Sequence, residues 1–189
     1  MKSIFKKQLT GSEFESVVSK RMDKYRDAGV ADIRKSGVAA FYTSSGWQVQ
    51  QSRPDFEGIM QGPVPIVFDC KACSGHSFGL SKYQMHTSGK KESRRYQLEY
   101  MFDKASYGVV AFFLIHWNPR ELKTKAAEAV TYAFPVHREM RFWDKFERGE
   151  IKSISRDDCD EYGHRVSWTL FNRLDRNIQP DIRNAVSLM

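Results

Sequence analysis

Cysteine is scarce: three in 189 residues, an odd and small number that makes no disulfide framework and points to a reducing compartment. No apolar run approaches the roughly 18 residues of a membrane span. The opening, MKSIFKKQLTGSEFE, lacks the apolar centre of a secretory signal. A cytosolic protein with no membrane association is the expectation. The sequence has no internal repeat and no low-complexity tract, and its five histidines, His76, His86, His116, His137 and His164, show no H-x-x-x-H spacing. A histidine-built metal site is therefore not expected. The 41% hydrophobic and 13% aromatic content is enough to bury a core, which excludes wholesale disorder. The length suits one domain rather than two.

Acids are outnumbered, 23 against 30 bases, for a net charge of +7. The whole excess lies in two short stretches. Residues 1–9 carry Lys2, Lys6 and Lys7 with no acid, and residues 82–95, KYQMHTSGKKESRR, carry Lys82, Lys90, Lys91, Arg94 and Arg95 against Glu92 alone. One is a terminal stretch, and the other contains Thr87, Ser88 and Gly89, the composition of a loop. Two readings stand: solvated segments, or basic arms that hold the phosphates of a polyanion.

Apolar periodicity predicts a helix from Ser12 to about Asp27, with Phe14, Val17, Val18, Met22 and Tyr25 on one face and Gly29 ending it. An extended piece follows at 30–34, then a hairpin or protruding loop at 36–46. WQVQQSRPDFEGI reads as a strand with Pro54 in it, QGP at 61–63 as a turn, and VPIVFDCKA as a second strand. A helix at 95–105, a buried strand at 107–116, a strand at 130–136 and a helix at 137–147 come next. Polar, mixed sequence from Ile151 reads as a short strand or two. The expected class is α/β, with helices on the faces of a mixed sheet.

The chemistry concentrates at Pro54-Asp55 and, fourteen residues on, Asp69-Cys70-Lys71. If the hairpin is symmetric about Gly62, Asp55 and Asp69 are cross-strand partners with Cβ atoms roughly 5 Å apart. Two carboxylates so close repel unless a cation lies between them, and Mg²⁺ is commonly held by one or two carboxylates plus water and substrate phosphate. Strand alternation puts Lys71 on the side of Asp69 and turns Phe68 and Cys70 into the core. Lys71 can then orient a water or steady developing negative charge, which suits hydrolysis of a phosphodiester. Cys70 and Cys73 invite a zinc or redox reading, but no second ligand pair accompanies them beyond Cys159 and His164 in the polar tail. Trp47 has two uses, packing or stacking on an unpaired base. Glu57 replaces Asp55 only if the hairpin register slips.

The PD at 54–55 and DCK at 69–71 resemble the signature of the PD-(D/E)xK nuclease superfamily. The blocks GSEFE at 11–15, SRPDFEG at 52–58, IVFDCKA at 66–72, SFGL at 77–80, YQLEYM at 96–101, YGVVAFFLI at 107–115 and FWDKFERGEIKSIS at 142–155 resemble, in order, those of the RecU-type Holliday junction resolvases. The resemblance implies a restriction-endonuclease-like mixed central sheet flanked by helices. It divides the chain into a basic N-terminal arm at 1–10, a nuclease domain at 11–168 and a C-terminal arm at 169–189.

It further implies Asp55 and Asp69 as metal ligands, the Cys70 carbonyl as a third, Lys71 as the catalytic lysine and Glu15 as an acid near the metal. For Glu15 the other reading is a Ser12-x-x-Glu15 capping box. Gln97 matches a glutamine placed to touch a phosphate or the water; the other reading is an exposed helical residue. Lys6, Lys7, Arg53, Lys82, Lys90, Lys91, Arg94, Arg95 and Gln97 are the expected DNA contacts.

Two departures from the family pattern bear on substrate choice. The stalk expected before the PD strand is reduced to about ten residues, and the loop from Gln84 to Arg95 is extra. The expected activity is Mg²⁺-dependent cleavage of four-way junctions in recombination and repair, with Mn²⁺ as a substitute metal. Paired cuts in a two-fold symmetric junction imply a homodimer. Such an enzyme belongs to the bacterial nucleoid, or to host cytoplasm if phage-encoded. The alternatives are a nuclease for flaps or for duplex of a given sequence, and a non-catalytic DNA-binding protein on this scaffold.

Overall fold

The computed structural model describes residues 8–37, 40–44, 46–49, 53–83, 95–121 and 126–166. Residues 1–7 of the expected N-terminal arm at 1–10, the expected C-terminal arm at 169–189, and Lys90, Lys91 and Arg94 of the basic loop lie outside the described residues. The helices are α1 (Gly11–Asp27), α2 (Arg95–Ser106), α3 (Arg141–Glu147) and α4 (Arg156–Tyr162). The strands are β1 (Ala31–Lys35), β2 (Ala40–Thr43), β3 (Gly46–Val49), β4 (Phe56–Met60), β5 (Val64–Cys73), β6 (Ser77–Gly79), β7 (Val110–Trp117), β8 (Arg120–Glu121), β9 (Ala126–Ala127), β10 (Val130–Pro135), β11 (Ser153–Ser155) and β12 (His164–Val166).

Six of them form one mixed sheet, in the order β1-β4-β5-β7-β10-β12. Only β5 and β7 run parallel; the other pairs are antiparallel. The α/β class and the mixed, helix-flanked central sheet are as expected. Parallel pairing requires a long crossover, and α2 supplies it. Among the described residues no helix is long and apolar enough to cross a membrane.

Strand parity divides the core into two layers. Ile66, Phe68 and Cys70 face α1, where Phe14, Val18 and Met22 recur four residues apart and cover them. Val67 and Cys73 face α2 and α3, where Trp143 is ringed by Phe102, Phe113, Phe134, Phe142 and Phe146. The same parity disposes of a Cys70-Cys73 metal pair, since three residues along a strand reverses the face.

The β4–β5 register pairs Phe56 with Phe68 and Met60 with Val64, which is symmetric about Gly62, as expected. Gly62 takes φ +101° in the turn, a conformation that favours glycine. Phe56, Phe68 and Phe112 stack across three neighbouring strands with centroids 5.0 Å apart at both steps. This ladder locks the register, because a slip of one residue would turn every ring to the other face.

Several expected elements differ. The strand read from Trp47 to Ile59 is two elements: β3 pairs back on β2, with Thr43 opposite Gly46 at the closed end, and β4 starts only at Phe56. Pro54 therefore lies in the lead-in to a strand rather than within one. Trp47 is a β3 residue whose side chain lies outside the described structure. The third helix starts at Arg141 rather than His137, and α4 was not expected. Its sequence RDDCDEY buries Cys159 alone, and a Ser155/Asp158 capping box starts it.

Candidate active site

β5 outruns its neighbour. β4 begins at Phe56, opposite Phe68, so among the described residues Asp69 to Cys73 have no strand on that side. Pro54-Asp55 arrives in this notch. The Asp55 backbone N–H donates to Asp69 Oδ1 at 3.3 Å, and the Cys70 N–H donates to Asp55 Oδ2 at 2.8 Å. Each carboxylate is thus held by the backbone of the facing segment. In an antiparallel ladder a residue's N–H and C=O point to the same edge. The Cys70 carbonyl accordingly faces the notch with Asp55, while its thiol is buried on the α1 side. Burial, reinforced by Asp55 and Asp69, pushes that thiol well above its ordinary value, so it offers no thiolate.

Asp69 is fully buried, and its Oδ2 pairs with the Lys71 ammonium. Burial alone would lower the Lys71 pKa; the charge of Asp69, with smaller contributions from Tyr83 and Asp55, outweighs it and raises the value. Lys71 is therefore a cation, with its side chain only 11% exposed. Asp55 is pushed up to about 6, first by burial and then by repulsion from Asp69, against the pull of Lys71. The pair carries more negative charge than one lysine balances. This is the condition a divalent cation relieves, and two carboxylates plus a main-chain carbonyl fit Mg²⁺, whose remaining positions are usually filled by water and phosphate.

Glu15 is free of capping duty. The box at the start of α1 is Thr10 with Glu13, not Ser12 with Glu15. Glu15 instead accepts from Lys35 Nζ at 3.0 Å. That ion pair lies beside the notch: Asp55 and Cys70 act on the Lys35 charge, and Glu15 acts on Cys70. Glu15 is not drawn onto the aspartates, and among the described residues no three His, Cys, Asp or Glu side chains gather closely enough for a metal.

Gln97 is buried, not an exposed helical residue, and its Nε2 donates to the Arg53 carbonyl at 3.0 Å. It grips the segment that carries Asp55. Glu57 is engaged elsewhere, accepting from the Tyr100 hydroxyl at 2.9 Å and lying 3.5 Å from Arg53. Arg53 also lies over the Tyr100 ring, 5.8 Å from its centroid. Arg95 opens α2, and its guanidinium is balanced by Glu99 and by Glu147 at 2.8 Å. Lys82 is on the exposed surface just before the basic loop.

The sequence model for Recombination protein U (RecU) matches residues 9–176. The chain belongs to the RecU family. Two relatives called "Holliday junction resolvase RecU", from Limosilactobacillus reuteri strain DSM 20016 and L. reuteri subsp. reuteri strain JCM 1112, are each 26% identical over 124 residues. Those residues are 65% of this chain and 52% of each relative, so the chain spans about half the length of the curated relatives it matches. All of the notch residues fall inside the span matched by the RecU model.

Two participants escaped the sequence reading. Lys35 could have been found, since it sits two residues after Ile33 and so shares the face that α1 covers. Tyr83, buried against the Lys71 side of the sheet, had no local signal. His116, buried and bonded through Nδ1 to Thr131 Oγ1 at 2.9 Å, is held down to about 4 by burial and stays neutral in the core.

Gln97→Ala should lower cleavage about 10- to 100-fold, as loss of groups that orient metal ligands commonly does. It should leave junction affinity unchanged in metal-free binding titrations, because Gln97 is buried and its amide Nε2 holds the Arg53 carbonyl. A matching loss of affinity would instead make Gln97 a DNA contact.

Proposed function

We propose that this RecU-family chain is a Mg²⁺-dependent endonuclease that resolves four-way DNA junctions by paired phosphodiester hydrolysis, acting as a homodimer in the cytoplasm. The observation that carries the reading is the Asp55–Asp69 pair interlocked across the end of β4 with Lys71 beside it. Asp55, Asp69 and the Cys70 carbonyl would hold the metal, which when bound supplies Lewis acidity at the phosphate and eases deprotonation of water. Asp69 fixes the Lys71 ammonium beside the notch, where it steadies negative charge developing on the phosphoryl oxygens. Gln97 keeps Asp55 seated through Arg53. Lys35 holds Glu15 at the margin of the notch. Arg53 and Lys82, with Lys6, Lys7, Lys90, Lys91 and Arg94, supply phosphate contacts, which set affinity and its salt dependence rather than sequence preference.

The test is competition between a synthetic four-way junction, a flap and a linear duplex of the same sequence, all with Mg²⁺. Preferential, symmetric nicking of the junction is expected. Equal cutting of the duplex would favour the general nuclease that the short β2–β3 hairpin leaves open.

The elevated Asp55 gives a pH signature. A metal competes with the Asp55 proton, so at limiting Mg²⁺ cleavage should rise with pH through about 6 and the midpoint should fall as Mg²⁺ is raised. For folding of the metal-free protein the sign is opposite. A carboxyl raised in the folded state stabilises it fully below the unfolded value, and that contribution is lost as pH rises through about 6. A rate profile whose midpoint ignores Mg²⁺ would remove Asp55 from the metal site.

A further inference from the structure

We propose that Arg120, which opens β8 just past the end of β7, is a phosphate-binding residue that grips the DNA strand beside the cleavage notch. It is not one of the DNA contacts expected from the sequence. β5 and β7 run parallel, with Cys73 opposite Trp117, so both strands end on the same side of the sheet. The exit of β7 holds three consecutive residues of the turn after β5. Asn118 donates from Nδ2 to Ser74 Oγ at 2.9 Å. Arg120 donates from Nη1 to the Gly75 carbonyl at 2.9 Å and from Nη2 to His76 Nε2 at 2.8 Å. Arginine has no acceptor, so the imidazole nitrogen accepts and His76 is neutral in this arrangement.

Neither partner neutralises the guanidinium. Arg26, Arg34, Arg95, Arg138 and Arg148 each meet a carboxylate; among the described residues Arg120 meets none. Two of the five N–H groups of its fork are committed, and the side chain is partly exposed. A fork already held in place loses less freedom when it takes a phosphate oxygen. Its place also suits the chemistry. Asp69, Lys71 and Cys73 alternate onto one face of β5, and the turn doubles back over that face. Cys73 Sγ donates to the Ser77 carbonyl at 3.4 Å and lies 3.8 Å from the Gly75 carbonyl oxygen, the one that Arg120 holds. Cys73 is roughly 7 Å beyond Lys71 along an extended strand. At about 3.4 Å of axis per nucleotide of one strand, the guanidinium reaches a phosphate about two to four nucleotides from the one held at the notch. A brace for the turn alone would need hydrogen bonds but no net charge.

The inference rests on the reading of this chain as a binder of branched DNA. The experiment is a metal-free titration of a fluorescent four-way junction by the full chain across a salt series. Arg120→Gln, which keeps amide donors and removes the charge, should weaken binding about 3- to 10-fold near 0.1 M salt. It should also make the salt slope shallower by about 1, the value of one lost phosphate contact. Arg120→Lys should keep the wild-type slope, because the charge remains, and lose part of the affinity with the fork geometry. His76→Ala should weaken binding less than Arg120→Gln and leave the slope unchanged, since a neutral ring displaces no counterion. An unchanged slope in Arg120→Gln, or an equal fall in Arg120→Lys, would reduce the cluster to a brace and overturn the site. Failure of the wild-type chain to bind the junction overturns the branched-DNA reading before any variant is compared, and the site with it.

Discussion

Lys71→Ala should reduce junction cleavage by about 10³-fold, at the upper end of what loss of one preorganised charge-stabilising group costs, while the junction still binds. Lys71 touches the site through Asp69, and its side chain is almost wholly buried, so its contribution to affinity for an extended polyanion is small. The same substitution removes the cation facing a fully buried carboxylate. Breaking such a pair from one side costs about 3–5 kcal/mol when the remaining charge stays unpaired. The variant should therefore melt lower without metal, and Mg²⁺ should raise its melting temperature more than that of the wild type, since the metal restores positive charge beside Asp69. Gel assays of cleavage and binding, with melting curves at several Mg²⁺ concentrations, check the three parts separately. Cleavage within a few-fold of wild type would deny Lys71 any part in the chemistry.

Phe68→Ala should cost about 3–5 kcal/mol, the range for truncating a buried phenylalanine, and should also impair cleavage by the molecules that remain folded. Phe68 is the middle ring of the Phe56–Phe68–Phe112 stack, 5.0 Å from each neighbour, and it immediately precedes Asp69. Removing it leaves a void where the register is locked and loosens the placement of Asp55 opposite Asp69. Trp143→Ala is the control. Trp143 is as deeply buried, but in the α2–α3 layer and away from the notch. Both variants should shift the denaturant midpoint by similar amounts, and only Phe68→Ala should lower the rate per folded molecule below the temperature of melting. Equal residual rates would mean that the ring ladder serves stability alone.

The hairpin register was legible because its determinants are local. QGP supplies the turn, Gly62 the positive φ, and alternating aromatic and β-branched residues the buried face. The Asp55, Asp69 and Lys71 constellation follows from that register. The capping residue was harder, because TGSEFE contains two overlapping boxes, Thr10 to Glu13 and Ser12 to Glu15. Both place an oxygen three residues before a carboxylate, and only the folded chain shows that Glu15 is drawn to Lys35 instead. The break before β4 was hidden because WQVQ at 47–50 alternates apolar and polar residues as a strand does, while the pairing of β3 with β2 is a tertiary choice. α4 was invisible to periodicity since one residue of its seven is buried. The role of Gln97 depends on a partner 44 residues away, and no local pattern encodes such a contact.

The most direct test of the metal-site account is cleavage of a synthetic four-way junction by Asp69→Asn beside wild type, at saturating Mg²⁺. Asn keeps the volume and an oxygen able to accept the Asp55 N–H, but it removes the charge that binds a cation and holds Lys71. Paired nicks by wild type with Mg²⁺, none in chelator, and none by Asp69→Asn at equal junction occupancy is the predicted result. Cleavage by Asp69→Asn at the wild-type rate would contradict it.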